Sequence, residues 1–332
     1  MKQVTTILAI LVGFTMNGQW SYNSNNTGVQ ASTCTASGSY STAMGDGTTA
    51  SGDYSTSMGR STAASALYST AMGRSTAASA LYSTAMGYGT DASGYFSTAM
   101  GSSTTASALY STAMGDGTIA SGSRSTAMGS YTTASDYASL SIGRYNSVNS
   151  TVTAGGSATS FDTDNAAFVI GNGTGSSTKS DAFVVYFNGN ATLSGDLTIN
   201  SDARLKDNIQ PLGSTLNKLH QIEGKTYSFK KDEEHTPKIG VLAQEVQAVF
   251  PELVTEGGDG ILSVNYQGLV PVLINAINEQ DAKMSEQDAK IAALEAQNEQ
   301  LAIASKKIAA LEEMVRFLAV QQSQTTSSVA AN

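Results

Sequence analysis

The sequence predicts a mainly β first half, built as a parallel β-roll with a β-rich neck, then an α+β domain and a C-terminal α-helical coiled coil. Three observations predict this class. One short motif recurs every 14 residues in the first half, charged residues concentrate after position 200, and apolar residues at heptad spacing end the chain. A constant period without insertions indicates that each repeat is one structural unit, which buries its apolar side chain by stacking on its neighbours.

The N-terminus has the pattern of a secretory signal peptide, which we expect over residues 1–19. Lys2 precedes an apolar run at 7–14, and small and polar residues follow at 18–19. The apolar run is too short to span a bilayer as a helix. An ordinary buried first strand is the alternative interpretation. Residues 20–30 are rich in Gly, Asn and Ser and predict a linker.

The repeats occupy residues 31–150. The eight copies of the motif begin at Ser41, Ser55, Ser69, Ser83, Ser97, Ser111, Ser125 and Ser139. Each copy has two short segments of alternating small residues, and a glycine such as Gly45 or Gly52 follows each segment, so we expect two strands and two turns per repeat. One methionine per copy, such as Met44, and a few alanines make a thin core. Several chains are therefore expected to associate.

Residues 151–200 predict a β-rich neck. Short apolar runs at 168–170 and 183–187 alternate with turn sequences at 171–173 and 188–190. No cluster of catalytic residue types occurs in this segment. We expect the neck to continue the association of chains that the repeats require.

The end of the chain predicts a helix from about Asn265, with a coiled coil at 291–320 and a disordered tail at 321–332. The apolar seam, which changes phase once, consists of Ile277, Met284, Ile291, Leu294, Leu301, Ile308, Leu311, Val315 and Leu318. Gln280, Gln287 and Asn298 lie on or near the seam, where polar residues specify register and oligomeric state. A long solvated helix packed on its own domain is the alternative.

Composition limits the partners and cofactors. The net charge is −9 and no basic stripe is present to neutralise phosphates, so we expect no nucleic-acid partner. The single cysteine, Cys34, cannot form an internal disulfide. His220 and His235 lie outside any metal-ligand spacing and no Gly-rich phosphate loop occurs, so we expect neither a metal nor another cofactor.

The repeats resemble the head repeats of trimeric autotransporter adhesins over about residues 31–150. This resemblance implies a left-handed parallel β-roll in which three chains surround one axis. Those adhesins end in a membrane β-barrel, whereas this chain ends in a helix and a polar tail, so we expect no membrane anchor. The expected partners are two further copies of the chain and, on the surface of a cell, a receptor or glycan.

A second resemblance begins at the sequence Ser201-Asp202-Ala203-Arg204-Leu205-Lys206-Asp207-Asn208-Ile209. Further matching segments follow at 240–246, 250–252 and 263–266. Together they resemble the intramolecular chaperone domain that ends phage tail spikes and fibres such as endosialidase, over about residues 201–290. The resemblance implies a domain that trimerises, templates folding of the upstream β-fibre and then cleaves itself through a Ser-Lys dyad. Ser201 corresponds to the nucleophile, Lys206 to the base, and Asn200-Ser201 to the scissile bond.

The chemistry of such a dyad sets conditions on this segment. A serine hydroxyl is a weak nucleophile until a base takes its proton, and lysine serves only when desolvation or nearby positive charge favours its neutral form. Arg204 is a candidate for that charge unless it pairs with Asp202 or Asp207. Five residues rotate by about 500° in an α-helix, which places the two side chains about 140° apart. Ser201 must therefore precede any helix that carries Lys206.

These expectations lead to three hypotheses of function. The first is a secreted homotrimeric fibre whose C-terminal domain cleaves itself once, as a single-turnover serine endopeptidase. The second is a structural adhesin in which the same domain remains as a permanent trimerisation cap. The third is a tail fibre of a phage virion, which the signal sequence disfavours because virion proteins assemble in the cytoplasm.

Overall fold

The computed structural model describes residues 20–22, 28–230 and 234–329. The signal peptide predicted for residues 1–19 lies outside this range. Contacts divide the chain into two compact units, which meet at the bond between Asn200 and Ser201. Each unit has its own core and is described by itself below.

The first unit consists of β-strands. Strands β1 to β21 are Trp20–Tyr22, Val29–Ala31, Thr35–Ala36, Thr42–Asp46, Thr49–Ala50, Thr56–Arg60, Ala63–Ala64, Thr70–Arg74, Ala77–Ala78, Thr84–Tyr88, Asp91–Ala92, Thr98–Ser102, Thr105–Ala106, Thr112–Asp116, Ile119–Ala120, Thr126–Ser130, Thr133–Ala134, Leu140–Arg144, Ala166–Asn172, Asp181–Tyr186 and Ala191–Leu193. The linker predicted for residues 20–30 includes β1 and most of β2, which pair in antiparallel order. This pair forms because β2 extends the edge of the first repeat strand, β4.

The repeats form a parallel β-roll, as the 14-residue period predicts. Each five-residue strand pairs in parallel with the strand one repeat later, so that Thr84 lies opposite Thr98 and Met86 opposite Met100. The two-residue strands pair in the same way to form a second sheet, in which Ala92 lies opposite Ala106. Identical positions of successive repeats therefore form columns along the roll.

The interior of the roll corrects the core expected from the sequence. Alanines such as Ala85 and Ala92 are fully buried there together with serine and threonine columns. Successive side chains of a strand point to opposite faces, so the burial of Ala85 places Met86 on the outer face, where it is half-buried. The methionines are therefore a stripe on the outside of each chain and not its core.

The turns of the roll place one glycine column and one aromatic column under tight backbone constraints. Gly87 has a φ of 123°, and a Cβ at this position would collide with the carbonyl oxygen of Gly101. The aromatic column consists of Tyr40, Tyr54, Tyr68, Tyr82, Phe96 and Tyr110, which all have left-handed φ values of 55° to 58°. Their rings stack with centroids 4.9 to 5.1 Å apart, which is close to the spacing of neighbouring strands. We call this column the aromatic ladder.

The neck begins with a further turn of the roll. Strand β19 pairs in parallel with β18, which places Ile170 opposite Ile142 and Gly171 opposite Gly143. Residues 145–165 form the connection between these two strands. The buried carboxylate of Asp136 accepts hydrogen bonds from the backbone N–H groups of Thr153 and Ala166 and so holds this connection against the roll. Strands β20 and β21 then continue the sheet in antiparallel order.

The second unit packs short elements against one long helix. Its helices α1 to α3 are Leu216–Leu219, Ala243–Val249 and Leu269–Val329, and its strands β22 to β25 are Lys225–Tyr227, Lys238–Gly240, Val254–Glu256 and Leu262–Val264. Three one-turn 3₁₀ helices, within the described residues, are Ala203–Leu205, Pro251–Leu253 and Tyr266–Gly268. Val246, Phe250 and Val272 form the centre of the core.

The long helix α3 leaves its apolar seam uncovered within one chain. Only its first turns contribute to the core, through residues such as Val272 and Ala276. From Ile277 onward the seam side chains defined above are 53 to 64% exposed. The described part of α3 ends at Val329, and the disordered tail expected for residues 321–332 stays a prediction.

Candidate active site

Ser201 and Lys206 lie in contact at the start of the second unit. The Nζ of Lys206 donates a hydrogen bond of 2.7 Å to the Oγ of Ser201. The 3₁₀ helix Ala203–Leu205 lies between them, with Asp202 as its N-cap and Lys206 as its C-cap. Because Ser201 precedes this single turn, the two side chains meet on one side of it, which an α-helix through both residues would prevent.

Asp202 and Arg204 form an ion pair beside this contact. The Nε of Arg204 lies 3.0 Å from the Oδ1 of Asp202, and its Nη2 lies 2.6 Å from Oδ2. The Arg204 guanidinium lowers the pKa of the Asp202 carboxyl, and the carboxylate raises the pKa of Arg204. Arg204 therefore pairs with Asp202 and not with Asp207, and the Asp202 carboxylate compensates much of the guanidinium charge.

The whole segment around the site is exposed within a single chain. Every residue from 191 to 214 is exposed, including the apolar side chains Leu197, Ile199, Leu205 and Ile209. For base catalysis the Ser201 hydroxyl must donate its proton across this contact to a neutral Lys206 amine.

Two residues of α3 that no sequence motif indicates, Asn275 and Glu279, anchor the end of this segment. The carboxylate of Glu279 accepts hydrogen bonds from the backbone N–H of Thr215 at 2.6 Å and of Leu216 at 3.3 Å. The Nδ2 of Asn275 donates to the carbonyl oxygen of Gly213 at 2.6 Å. Glu279 thus caps α1 from a distant helix, and no local pattern at Thr215 reveals a partner 64 residues away.

The described residues contain no group of three or more His, Cys, Asp or Glu side chains arranged to hold a metal ion. Among the helices in that part of the chain, none combines the length and the apolar character that a bilayer crossing requires.

Two family profiles match the chain. Residues 201–255 match the family described as chaperone of endosialidase, a shorter range than the 201–290 expected above. The YadA head domain repeat matches four segments, at 36–62, 64–90, 92–118 and 120–146. Both resemblances predicted from the sequence are confirmed, and the candidate dyad lies at the first residues of the chaperone match.

Curated relatives with similar segments are phage tail fibre proteins. The long tail fiber protein Gp37 of Escherichia phage AR1 is 39% identical over 97 residues, which are 27% of this chain and 9% of the relative. Gp37 of Salmonella phage S16 is 33% identical over 107 residues, or 30% of this chain and 14% of the relative. The probable tail fiber protein of Escherichia phage Phieco32 is 34% identical over 98 residues, or 28% and 14%.

The chain spans less than a sixth of the length of these relatives, so the similarity concerns one segment of each. By these matches, the chain is similar to phage tail fibre proteins and joins segments that match the YadA head domain repeat to a segment that matches the chaperone of endosialidase.

Proposed function

We propose that this protein is a homotrimeric fibre whose C-terminal unit assembles three chains, assists folding of the β-roll and then cuts itself off at Asn200-Ser201. The observation that carries the proposal is the 2.7 Å contact between Lys206 and Ser201 at the start of the chaperone-type segment. The boundary between the two compact units falls at the same bond. One cut there separates the fibre from the unit that templated it.

The proposed reaction is an acyl shift followed by hydrolysis. The Oγ of Ser201 attacks the carbonyl carbon of Asn200 while Lys206 takes the hydroxyl proton. The C–N bond breaks, the proton passes to the leaving α-amine of Ser201, and Asn200 is held as an ester on Oγ. Water then hydrolyses the ester, which leaves a carboxylate on Asn200 and restores the Ser201 hydroxyl. The products are two chains, with Ser201 at the new N-terminus.

We expect cleavage to depend on assembly of the trimer. Desolvation favours the neutral form of a lysine, and the segment 191–214 is exposed within one chain. Covering its apolar side chains, such as Ile199 and Leu205, by neighbouring chains would remove water from the dyad. Cleavage would then follow correct trimerisation, and removal of the template would leave the fibre kinetically trapped.

Two surfaces support the trimer. The outer methionine stripe of the roll continues through Ile142 to Ile170, so one apolar column runs from the repeats into the neck. The seam of α3 is the second surface, since it is apolar, regularly spaced and more than half exposed. Burial of both against two other copies would provide the core that the narrow alanine interior lacks. The three helices would also bring the chains together in register before the roll forms.

Denaturing gel electrophoresis of the full chain tests the cleavage. The wild-type protein is compared with Ser201→Ala and Lys206→Met, each boiled and unboiled. We expect the wild type to split into two fragments, the smaller beginning at Ser201 by N-terminal sequencing, while both variants stay whole. A wild-type chain that stays whole but migrates as a trimer when unboiled would reject self-cleavage and support the permanent cap.

The relatives favour a virion tail as the location, because they are tail fibre proteins of phages. This supports the third hypothesis above, a tail fibre of a phage virion. The alternative, a fibre secreted to a cell surface, depends on a leader at residues 1–19, and mass determination of the mature N-terminus separates the two. In either location we propose a cell-surface receptor or glycan as the target of the fibre.

A further inference from the structure

We infer that Asp202 is a positioning residue for the self-cleavage, because its carboxylate caps the single helical turn that brings Lys206 to Ser201. The inference rests on the proposed function and adds to it a residue that is neither the nucleophile nor the base. Asp202 lies next to Ser201 in sequence, yet the hydrogen bonds of its carboxylate all join it to Arg204, further along the chain.

The turn depends on few interactions. Its backbone hydrogen bonds are Leu205 N–H to the carbonyl oxygen of Asp202, at 3.0 Å, and Lys206 N–H to that of Ala203, at 3.1 Å. No residue of the turn is buried, so packing within the chain does not hold it. Formation of a first turn is costly, because several backbone dihedrals are fixed for one or two hydrogen bonds.

The side chain of Asp202 adds a third hydrogen bond to the turn, as its N-cap. Its Oδ1 accepts a hydrogen bond of 2.9 Å from the backbone N–H of Arg204, which is a donor that the short turn leaves without a helical partner. Asp202 itself has extended backbone angles, φ −62° and ψ 132°, as N-cap residues do. The chain therefore bends directly after Ser201.

This bend brings Lys206 into contact with Ser201. With the turn formed, Lys206 follows it as the C-cap and its side chain reaches back to the Oγ of Ser201. An extended chain would separate residues 201 and 206 by well over 10 Å along the backbone, at about 3.3 Å per residue. A cap that favours the turn therefore raises the fraction of molecules in which base and nucleophile touch.

Two contacts of Asp202 must be distinguished, the cap and the ion pair with Arg204. Both partners are exposed, and exposed ion pairs contribute little. Asparagine keeps the oxygen that caps the turn but removes the charge, whereas alanine removes both. Asp202→Asn and Asp202→Ala therefore separate the two roles. Asp207→Ala is a matched control, since Asp207 is an exposed carboxylate that accepts a hydrogen bond from the backbone N–H of Asn208, beyond the turn.

The test follows cleavage during refolding of the full chain from denaturant, sampled by gel over time. We expect Asp202→Ala to cleave about five- to tenfold more slowly than wild type, the fold-change that loss of an N-cap produces. Asp202→Asn and Asp207→Ala should cleave at close to the wild-type rate. The inference would be overturned if Asp202→Ala cleaved at the wild-type rate, or if Asp202→Asn cleaved as slowly as Asp202→Ala.

A second readout does not depend on cleavage. In the uncleavable Ser201→Ala background, amide hydrogen exchange of Arg204, Leu205 and Lys206 reports the turn itself. We expect Asp202→Ala to speed this exchange and Asp202→Asn to leave it unchanged. If amide exchange is unchanged in Asp202→Ala, Asp202 does not stabilise the turn and the inference is wrong. If the wild-type chain never cleaves, the proposed function is wrong, and amide exchange alone then decides whether Asp202 caps the turn.

Discussion

At the scale of single residues, the interior of the roll contains threonine hydroxyls of two kinds. Among the described residues, the buried hydroxyls of Thr48, Thr76, Thr90, Thr104 and Thr118 have no hydrogen-bonding partner. Thr62 differs, because its Oγ1 lies 2.7 Å from the Oγ of Ser57. Position 57 holds serine where the other methionine-containing repeats have a buried alanine, such as Ala85. Serine at position 57 thus gives Thr62 a side-chain partner, whereas Thr132 of a later repeat donates to the carbonyl oxygen of Met128 instead.

We expect Ser57→Ala to lower the free energy of unfolding by about 1 kcal/mol, since it leaves the buried Thr62 hydroxyl unpaired. The matched variant is Ala85→Ser, which places a hydroxyl at the equivalent position beside Thr90 and should cause no loss. Urea titration of the full chain measures both. Equal stability of Ser57→Ala and wild type would show that this hydrogen bond contributes nothing.

At the scale of elements, the aromatic ladder joins successive turns of the roll on its surface. Each ring is partly exposed to solvent, and every ring between the two ends of the ladder stacks on the rings one repeat before and after it. Offset stacking of this kind stabilises a pair by about 0.5–1.5 kcal/mol. The ladder therefore adds contacts between turns at positions whose left-handed backbone is itself unfavourable for tyrosine.

We expect Tyr82→Ala to destabilise the roll by about 1–3 kcal/mol, because it removes the stacks with both Tyr68 and Phe96. Tyr88→Ala is the control, since Tyr88 is similarly exposed but interacts with the guanidinium of Arg74 and belongs to no stack in the described chain. Thermal unfolding monitored by circular dichroism compares them. The prediction is wrong if both variants lower the midpoint equally.

Glu279 connects two helices of the second unit and makes their stability depend on pH. The backbone N–H of Thr215 is the main cause that lowers the pKa of the Glu279 carboxyl. A carboxyl with a lowered pKa stabilises the folded state above its ordinary pKa, about 4.3, and loses this contribution as the pH falls through the folded value. We expect the urea midpoint of the second unit to fall below about pH 4.3 in wild type, and to fall less in Glu279→Gln. If the urea midpoints of the two proteins fall equally with pH, Glu279 does not contribute to the acid dependence of stability.

At the scale of the whole molecule, the two units share one property, an apolar surface left uncovered by their own chain. The roll presents the methionine stripe, and α3 presents its seam. A single chain with a core of alanines buries little apolar area per residue. Assembly is therefore the feature of the proposed function on which both stability and cleavage depend.

We expect the double variant Ile291→Asp with Leu294→Asp to sediment as a monomer and to remain uncut, because two carboxylates on the seam oppose association of the helices. The matched control is Ala292→Asp with Ala296→Asp, which adds the same charge away from the seam and should form trimers that cleave. Analytical ultracentrifugation and gels provide the two readouts. A monomeric seam variant that still cleaves would separate the reaction from assembly.

The sequence by itself determined the period of the roll, the position of the long helix and the two family resemblances. These features are local or repeated, so a pattern of residue types is enough to reveal them. The spacing also required Ser201 to precede any helix that carries Lys206, since no α-helix through both residues allows contact.

Only the tertiary structure decided which side chains face inward and which distant residues meet. Alternation along a strand specifies two faces but not which is buried, and in the roll Ala85 is fully buried whereas Met86 is half-buried on the other face. Strand β19 joins the roll across a long connection, and Glu279 reaches Thr215 from another helix. Such contacts join residues far apart in sequence, so their geometry arises from packing of the whole unit and not from any local pattern.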